Sequence, residues 1–174
     1  LRELLAFFAG SSVFKLVVAG AALESGFTTN RYYECEGYID VGGQIFRCNN
    51  HAVHGPMNMQ RALNVSCNTY FISLAQQLEP RYLISFCQHL GMGSAVELAA
   101  GLQTQSGNLP TLSELSSPAA LANFSFGQGS SLASPLQMAQ VVAAICNRGT
   151  AVNPRLVLGV TKDGRTLSEQ SPGY

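Results

Sequence analysis

Residues 10–26 read GSSVFKLVVAGAALESG, and the fold turns on how this stretch is read. One of only two lysines in the chain, Lys15, sits inside its most apolar run, among Val13, Phe14, Leu16, Val17 and Val18. An ammonium is costly to bury unless it is paired or its pKa falls. The spacing predicts a helix over residues 12–24, with Ser12 capping its first turn and Ser25-Gly26 ending it. That helix is apolar nearly all round, so it belongs at the centre of the fold. Ser12 and Lys15 are three residues apart and share a helix face. The Ser12 hydroxyl would sit at the positive end of the helix, where a developing anion is favoured. A desolvated lysine one turn later has its pKa drawn down and can act as a base toward that hydroxyl, which is a poor nucleophile unaided.

A second cluster of chemistry-bearing residues lies in ALNVSCNTYF, residues 62–71, where Ser66-Cys67-Asn68 opens an apolar helical pattern. A hydroxyl there can relay a proton, and the Asn68 amide can orient a lysine or hold a substrate amide. Ser106-Gly107-Asn108 has the same S-x-N form, but it stands in a loop, where Ser, Gly and Asn are ordinary turn residues.

The rest of the chain is helix-dominated. Residues 32–48 are expected to form a hairpin around the turn signal Gly42-Gly43. Residues 57–64 and 68–78 read as helices, the second with an apolar stripe of Tyr70, Phe71, Leu74, Ala75 and Leu78. Pro80 can open a further helix and Gly91 can close it. Residues 91–110 read mostly as loop, and residues 117–123 as a short helix. The clearest local signal is SPLQMAQVVAAICNRG, residues 134–149. Ser134 caps, Pro135 takes the first position, Gln137 completes a capping box and Gly149 stops the helix. Residues 154–161 begin a terminal strand for which no partner is evident.

S-x-x-K followed by S-x-N are the first two of three motifs of penicillin-binding proteins and serine β-lactamases. The resemblance extends over GSSVFKLVVAGAALESG, HGPMNMQRALNVSCNTYFISLAQQL and FSFGQGSSLASPLQMAQVVAAICNRGT, in the family's order, from about residue 2 to residue 160. The chain thus resembles the transpeptidase domain of a penicillin-binding protein. The resemblance implies a single partial domain over residues 1–174, the mostly α portion of an α+β fold, with a small hairpin and a terminal strand. It makes Ser12 the acylated nucleophile, Lys15 its base, and Ser66 and Asn68 the second-motif pair. It implies D,D-transpeptidation in peptidoglycan cross-linking, with D-Ala-D-Ala stem peptides and β-lactams as partners, other cell-wall synthesis proteins beside them, no metal or other cofactor, and a place on the outer face of the cytoplasmic membrane. A serine β-lactamase and a non-catalytic β-lactam-sensing or scaffolding domain are the alternatives. Two departures stand out. Ala9-Gly10-Ser11-Ser12 has no Pro and one extra residue before the nucleophile. The third motif, K-T-G, is missing: Lys162-Asp163-Gly164 has Asp at the hydroxyl position and falls too early, and the family's strand would follow Tyr174. That strand supplies an oxyanion-hole N–H, and losing one such donor costs on the order of 10²–10³ in rate. The segment by itself is therefore expected to be a poor catalyst.

Composition agrees with this reading. The chain is 47% hydrophobic and only 11% charged, which suggests faces that pack against neighbours outside these residues, as in a piece of a larger body. Ten basic residues balance ten acidic ones, so no basic footprint supports nucleic-acid binding. No run reaches the length of a membrane span. Five cysteines at wide spacings do not make a disulfide framework. Cys67, Cys87 and Cys146 lie in apolar helical patterns and read as small buried hydrophobes. Cys35, Cys48, His51 and His54 form C-x12-C-x2-H-x2-H, residue types that zinc accepts at a spacing unlike the usual fingers. Free thiols, a disulfide and a metal site all stay open there. His54 and His89 read as a turn residue and a half-exposed helix residue, and Gly127-Gln128-Gly129 as a tight loop.

Overall fold

A computed structural model describes residues 8–9 and 12–169. Helix α1, Phe14–Glu24, runs through the centre, with Phe14, Val17, Val18, Ala21 and Ala22 fully buried. Val13, not Ser12, stands at its N-cap position, and no side chain caps it. The Ser12 hydroxyl is engaged elsewhere, as described below. Ser25 and Gly26 end the helix as expected, with Gly26 at φ +91°. Phe14 packs on Phe124 with ring centroids 4.8 Å apart. At Gly20 an added Cβ would lie 3.0 Å from the Phe86 ring, so the glycine lets the two helices approach.

The surrounding helices are α2 (Met59–Asn64), α3 (Asn68–Ala75), α4 (Pro80–His89), α5 (Leu112–Leu115), α6 (Pro118–Ser125) and α7 (Pro135–Cys146). The α3 stripe of Tyr70, Phe71, Leu74 and Ala75 is buried, and Leu78 beyond it as well. Helix α7 has the expected capping box between Ser134 and Gln137. Its inward face is Met138, Val141 and Ala144, whereas Val142 and Ile145 are exposed. Helix α5 was not expected, although Thr111 and Glu114 form a full capping box at its start.

The strands are short antiparallel pairs: β1 (Phe8–Ala9) with β8 (Leu132–Ala133), β2 (Tyr33–Cys35) with β5 (Gly55–Met57), β3 (Tyr38–Val41) with β4 (Gln44–Arg47), β6 (Glu97–Ala99) with β7 (Leu102–Gln103), and β9 (Gly159–Lys162) with β10 (Arg165–Glu169). The hairpin around Gly42-Gly43 is present, with Tyr38 opposite Arg47. Its first strand is shorter than expected. Gly37, at φ +85°, turns the chain, and residues 33–35 leave the hairpin to pair with β5. The terminal strand has a partner after all, because Asp163 and Gly164 (φ +52° and +74°) form a tight turn into β10. Among the described residues no helix is long and apolar enough to cross a membrane.

Candidate active site

Four side chains from two segments of the chain, residues 12–15 and 66–68, converge at the start of α1. Ser12 lies one residue before the N-cap and is exposed. Lys15, in the first turn, is only 2% exposed. Ser66 sits in the tight connection between α2 and α3, and Asn68 is the first residue of α3. Lys15 Nζ lies 2.8 Å from Ser66 Oγ, 2.8 Å from Asn68 Oδ1, 3.0 Å from the Ser66 carbonyl oxygen and 3.3 Å from Ser12 Oγ. Ser66 Oγ donates to Ser12 Oγ at 2.8 Å. The two hydroxyls and the amine thus form a closed triangle.

All four acceptors around Lys15 are neutral. With no carboxylate to hold the ammonium, desolvation by burial pushes the Lys15 pKa below its ordinary value, and the field of Cys67 and Cys48 opposes this only in part. A neutral amine donates twice and accepts once. It can hold Asn68 and the Ser66 carbonyl while taking a proton from Ser12. This answers the question posed by a lysine in an apolar helix.

Ser66 adopts φ +52°, a left-handed conformation that a non-glycine residue holds only at a cost of about 1–3 kcal/mol. The fold over-determines it: Asn68 Nδ2 donates to the Arg47 carbonyl at 3.1 Å, and Cys67 is fully buried under α3. The site opens into a cleft of about 440 Å³ lined by Ser12, Ser66, Asn68, Asn49, His54, Val65, Phe126 and Gln128. Sequence reasoning missed Asn49, Phe126 and Gln128 as lining residues, since only the fold brings them there.

The remaining candidates fall elsewhere. Ser106-Gly107-Asn108 lies in a loop away from α1: Gly107 has φ +73°, and an added Cβ would lie 2.4 Å from the Leu132 carbonyl oxygen. Asn108 bridges Leu132 through its backbone. Lys162-Asp163-Gly164 is the exposed tip of the β9–β10 hairpin. His51 and His89 are exposed, and so is Cys146, against expectation. Cys87 is a buried thiol whose pKa burial pushes up to about 12. Cys67 is buried as expected, but it sits with Cys35, Cys48 and His54 in one cluster behind the site.

Comparison with known proteins shows the family of the chain. Residues 7–173 match the family model of the penicillin-binding protein transpeptidase domain. The chain belongs to that family. It is 29% identical over 168 residues to stage V sporulation protein D of Bacillus subtilis, covering 92% of this chain and 25% of that protein. It is 31% identical over 169 residues to the penicillin-binding protein PbpB of Mycolicibacterium smegmatis, covering 95% and 25%. The fold superposes on the D,D-transpeptidase domain of a peptidoglycan glycosyltransferase from Eggerthella lenta with a TM-score of 0.89, at 25% identity, over 98% of this chain and 44% of the other. The chain thus spans about a quarter of the length of these curated relatives.

Proposed function

We propose that this chain carries the nucleophile and proton-transfer groups of a serine D,D-transpeptidase that cross-links peptidoglycan on the outer face of the cytoplasmic membrane. The observation that carries the reading is the triangle of Ser12, Lys15 and Ser66, with every edge at 3.3 Å or less. In this reading Lys15 takes the Ser12 proton as Ser12 Oγ attacks the carbonyl of a D-Ala-D-Ala terminus. The new C–O bond forms a tetrahedral intermediate whose oxyanion faces the N-terminal end of α1. The C–N bond then breaks, and the proton on Lys15 passes through Ser66 to the departing D-Ala amine. An amine of a second stem peptide attacks the ester and gives its proton to Lys15. The ester C–O bond breaks, and Ser12 Oγ takes that proton back from Lys15. Asn68 holds Lys15 through Oδ1 and lines the cleft where the substrate amide would lie. A β-lactam would acylate the same Ser12.

Among the described residues, no strand brings a Lys-Thr-Gly or Lys-Ser-Gly triplet to this cleft. The oxyanion hole is therefore taken to need a donor from outside residues 12–169, and these residues alone are expected to acylate slowly. Intact-mass spectrometry after incubation with a penicillin tests both points, on this chain and on the polypeptide extended beyond Tyr174. A single adduct on the longer form that is lost in Ser12→Ala supports the reading. An adduct that survives Ser12→Ala, or none on either form, rejects it.

A further inference from the structure

Behind the S-x-N segment lies a second cluster that the acyl-transfer chemistry does not use. Cys35 ends β2, Cys48 follows β4, His54 precedes β5 and Cys67 immediately precedes α3. Cys35, Cys48 and Cys67 are 2% exposed or less, and His54 is half-buried. Cys35 Sγ and Cys48 Sγ are 3.7 Å apart, Cys48 Sγ and Cys67 Sγ are 3.7 Å apart, and Cys35 Sγ lies 3.4 Å from His54 Nδ1. All four ligand atoms fall within 4.8 Å of one another. Zinc binds thiolate sulfur at about 2.3 Å and imidazole nitrogen at about 2.0 Å, which gives tetrahedral edges of about 3.8 Å between sulfurs and about 3.5 Å from sulfur to nitrogen. These three separations match those edges, and small side-chain adjustments would close the others, which lie within 4.8 Å.

We propose that Cys35, Cys48, Cys67 and His54 bind one zinc ion as a closed structural centre. Three soft thiolates and one imidazole suit zinc over the hard cations and form a four-ligand set that leaves no open position for catalysis. Binding releases the three thiol protons to solvent and leaves a net charge of −1 on the centre. Outer contacts suited to that charge are in place. The Gly37 N–H points at Cys35 Sγ at 3.4 Å, and the Thr69 hydroxyl donates to the same sulfur at 3.2 Å. Thr69 is itself fully buried. A disulfide between two of the three cysteines would leave the third thiol and His54 facing it without a role.

The centre ties the active-site segment to the sheet. Cys67 lies between Ser66 and Asn68, and Cys48 follows Arg47, whose carbonyl receives the Asn68 amide. Zinc bound to both cysteines would hold the two ends of that hydrogen bond together and keep Ser66 in its strained conformation. Cys35, Cys48, Cys67 and His54 are thus positioning residues for Ser66 and Asn68. Zinc binding stands on the ligand geometry alone, while the positioning role rests on the transpeptidase reading.

The test is metal analysis of the intact polypeptide that contains this chain, purified without chelator or added metal. About one zinc per chain is expected. Exposed Cys146 should react with a thiol reagent at once, Cys35, Cys48 and Cys67 only after a strong chelator removes the ion, and buried Cys87 only on unfolding. Replacement by cobalt should give the ligand-field bands of a tetrahedral ion and a thiolate-to-metal charge-transfer band. His54→Ala, at a half-buried position, should keep the fold yet release zinc to at least about tenfold less chelator. Cys87→Ser and Cys146→Ser should leave metal content unchanged. Protein without zinc, with all cysteines free or two of them joined in a disulfide, would overturn the assignment. So would iron or copper in place of zinc. Zinc present with no change in penicillin acylation on its removal would overturn the positioning role alone.

Discussion

Lys15 Nζ and Asn68 Oδ1 are 2.8 Å apart, although 53 residues separate them in the chain. This contact joins α1 to α3, and it requires that a nitrogen proton point at the amide oxygen. It leaves the amine free to face Ser12 with its lone pair once the ammonium has lost a proton.

Replacing Lys15 by Met should remove the base while keeping an unbranched apolar side chain. Penicillin acylation is expected to fall by roughly 10²–10⁴-fold, the usual worth of a positioned acid–base group. Stopped-flow measurement of acylation on the extended polypeptide checks this. A loss smaller than tenfold would assign the base elsewhere.

The pH dependence follows from burial of the same residue. Its folded pKa is lowered from 10.5, so the neutral amine becomes available at a lower pH than for a free lysine. The acylation rate should rise with pH through that lowered value and then level off. Stability has the same sign. Above the folded pKa the unfolded chain binds the extra proton, so the Lys15 contribution grows as pH rises toward 10.5 and is lost as pH falls through the folded pKa. In denaturant titrations across this range, the difference in stability between wild type and Lys15→Met should carry that slope.

Ser66 offers a way to separate strain from chemistry. Ser66→Ala and Ser66→Gly both remove the hydroxyl that donates to Ser12 Oγ, and both should slow acylation. Glycine alone tolerates φ +52° freely, so Ser66→Gly should be more stable than Ser66→Ala by about 1 kcal/mol. Thermal melts of the two variants decide it, and equal melting temperatures would show that residue 66 relaxes out of the left-handed region.

How far all this could be seen in the sequence depends on the range of the interaction. Ser12 with Lys15, and Ser66 with Asn68, are readable because three- and two-residue spacings fix their relation within one or two turns of chain. The cap of α7 is readable for the same reason, and α5 could have been found from Thr111-x-x-Glu114, which has the same pattern. The place of Cys67 beside Cys35, Cys48 and His54 was not visible. Cys67 has helical neighbours and reads as a core residue, and only the pairing of β2 with β5 brings Cys35 and His54 to it. That pairing depends on Gly37 breaking what looks like one continuous strand from residue 32, a non-local outcome that alternation cannot show.

Gly107→Ala should be costly at a distance from the site. A Cβ there would approach the Leu132 carbonyl oxygen to 2.4 Å from a backbone already at φ +73°. A loss of about 2 kcal/mol or more is expected. Lys162→Ala, at the exposed hairpin tip, should change neither stability nor acylation by more than about twofold, because surface substitutions away from partners cost little.

The loop after Cys48 carries two successive left-handed residues, Asn50 at φ +52° and His51 at φ +56°. They fold the chain back sharply enough for His54 to reach the cysteines within six positions of Cys48. Insertions and deletions should therefore be distributed unevenly along the gene. One codon gained or lost between positions 49 and 53 would swing the imidazole off the sulfurs. A codon added at the tip formed by Asp163 and Gly164 would only lengthen an exposed turn. Length variation among close relatives should then accumulate at the hairpin and be rare in the five-residue loop.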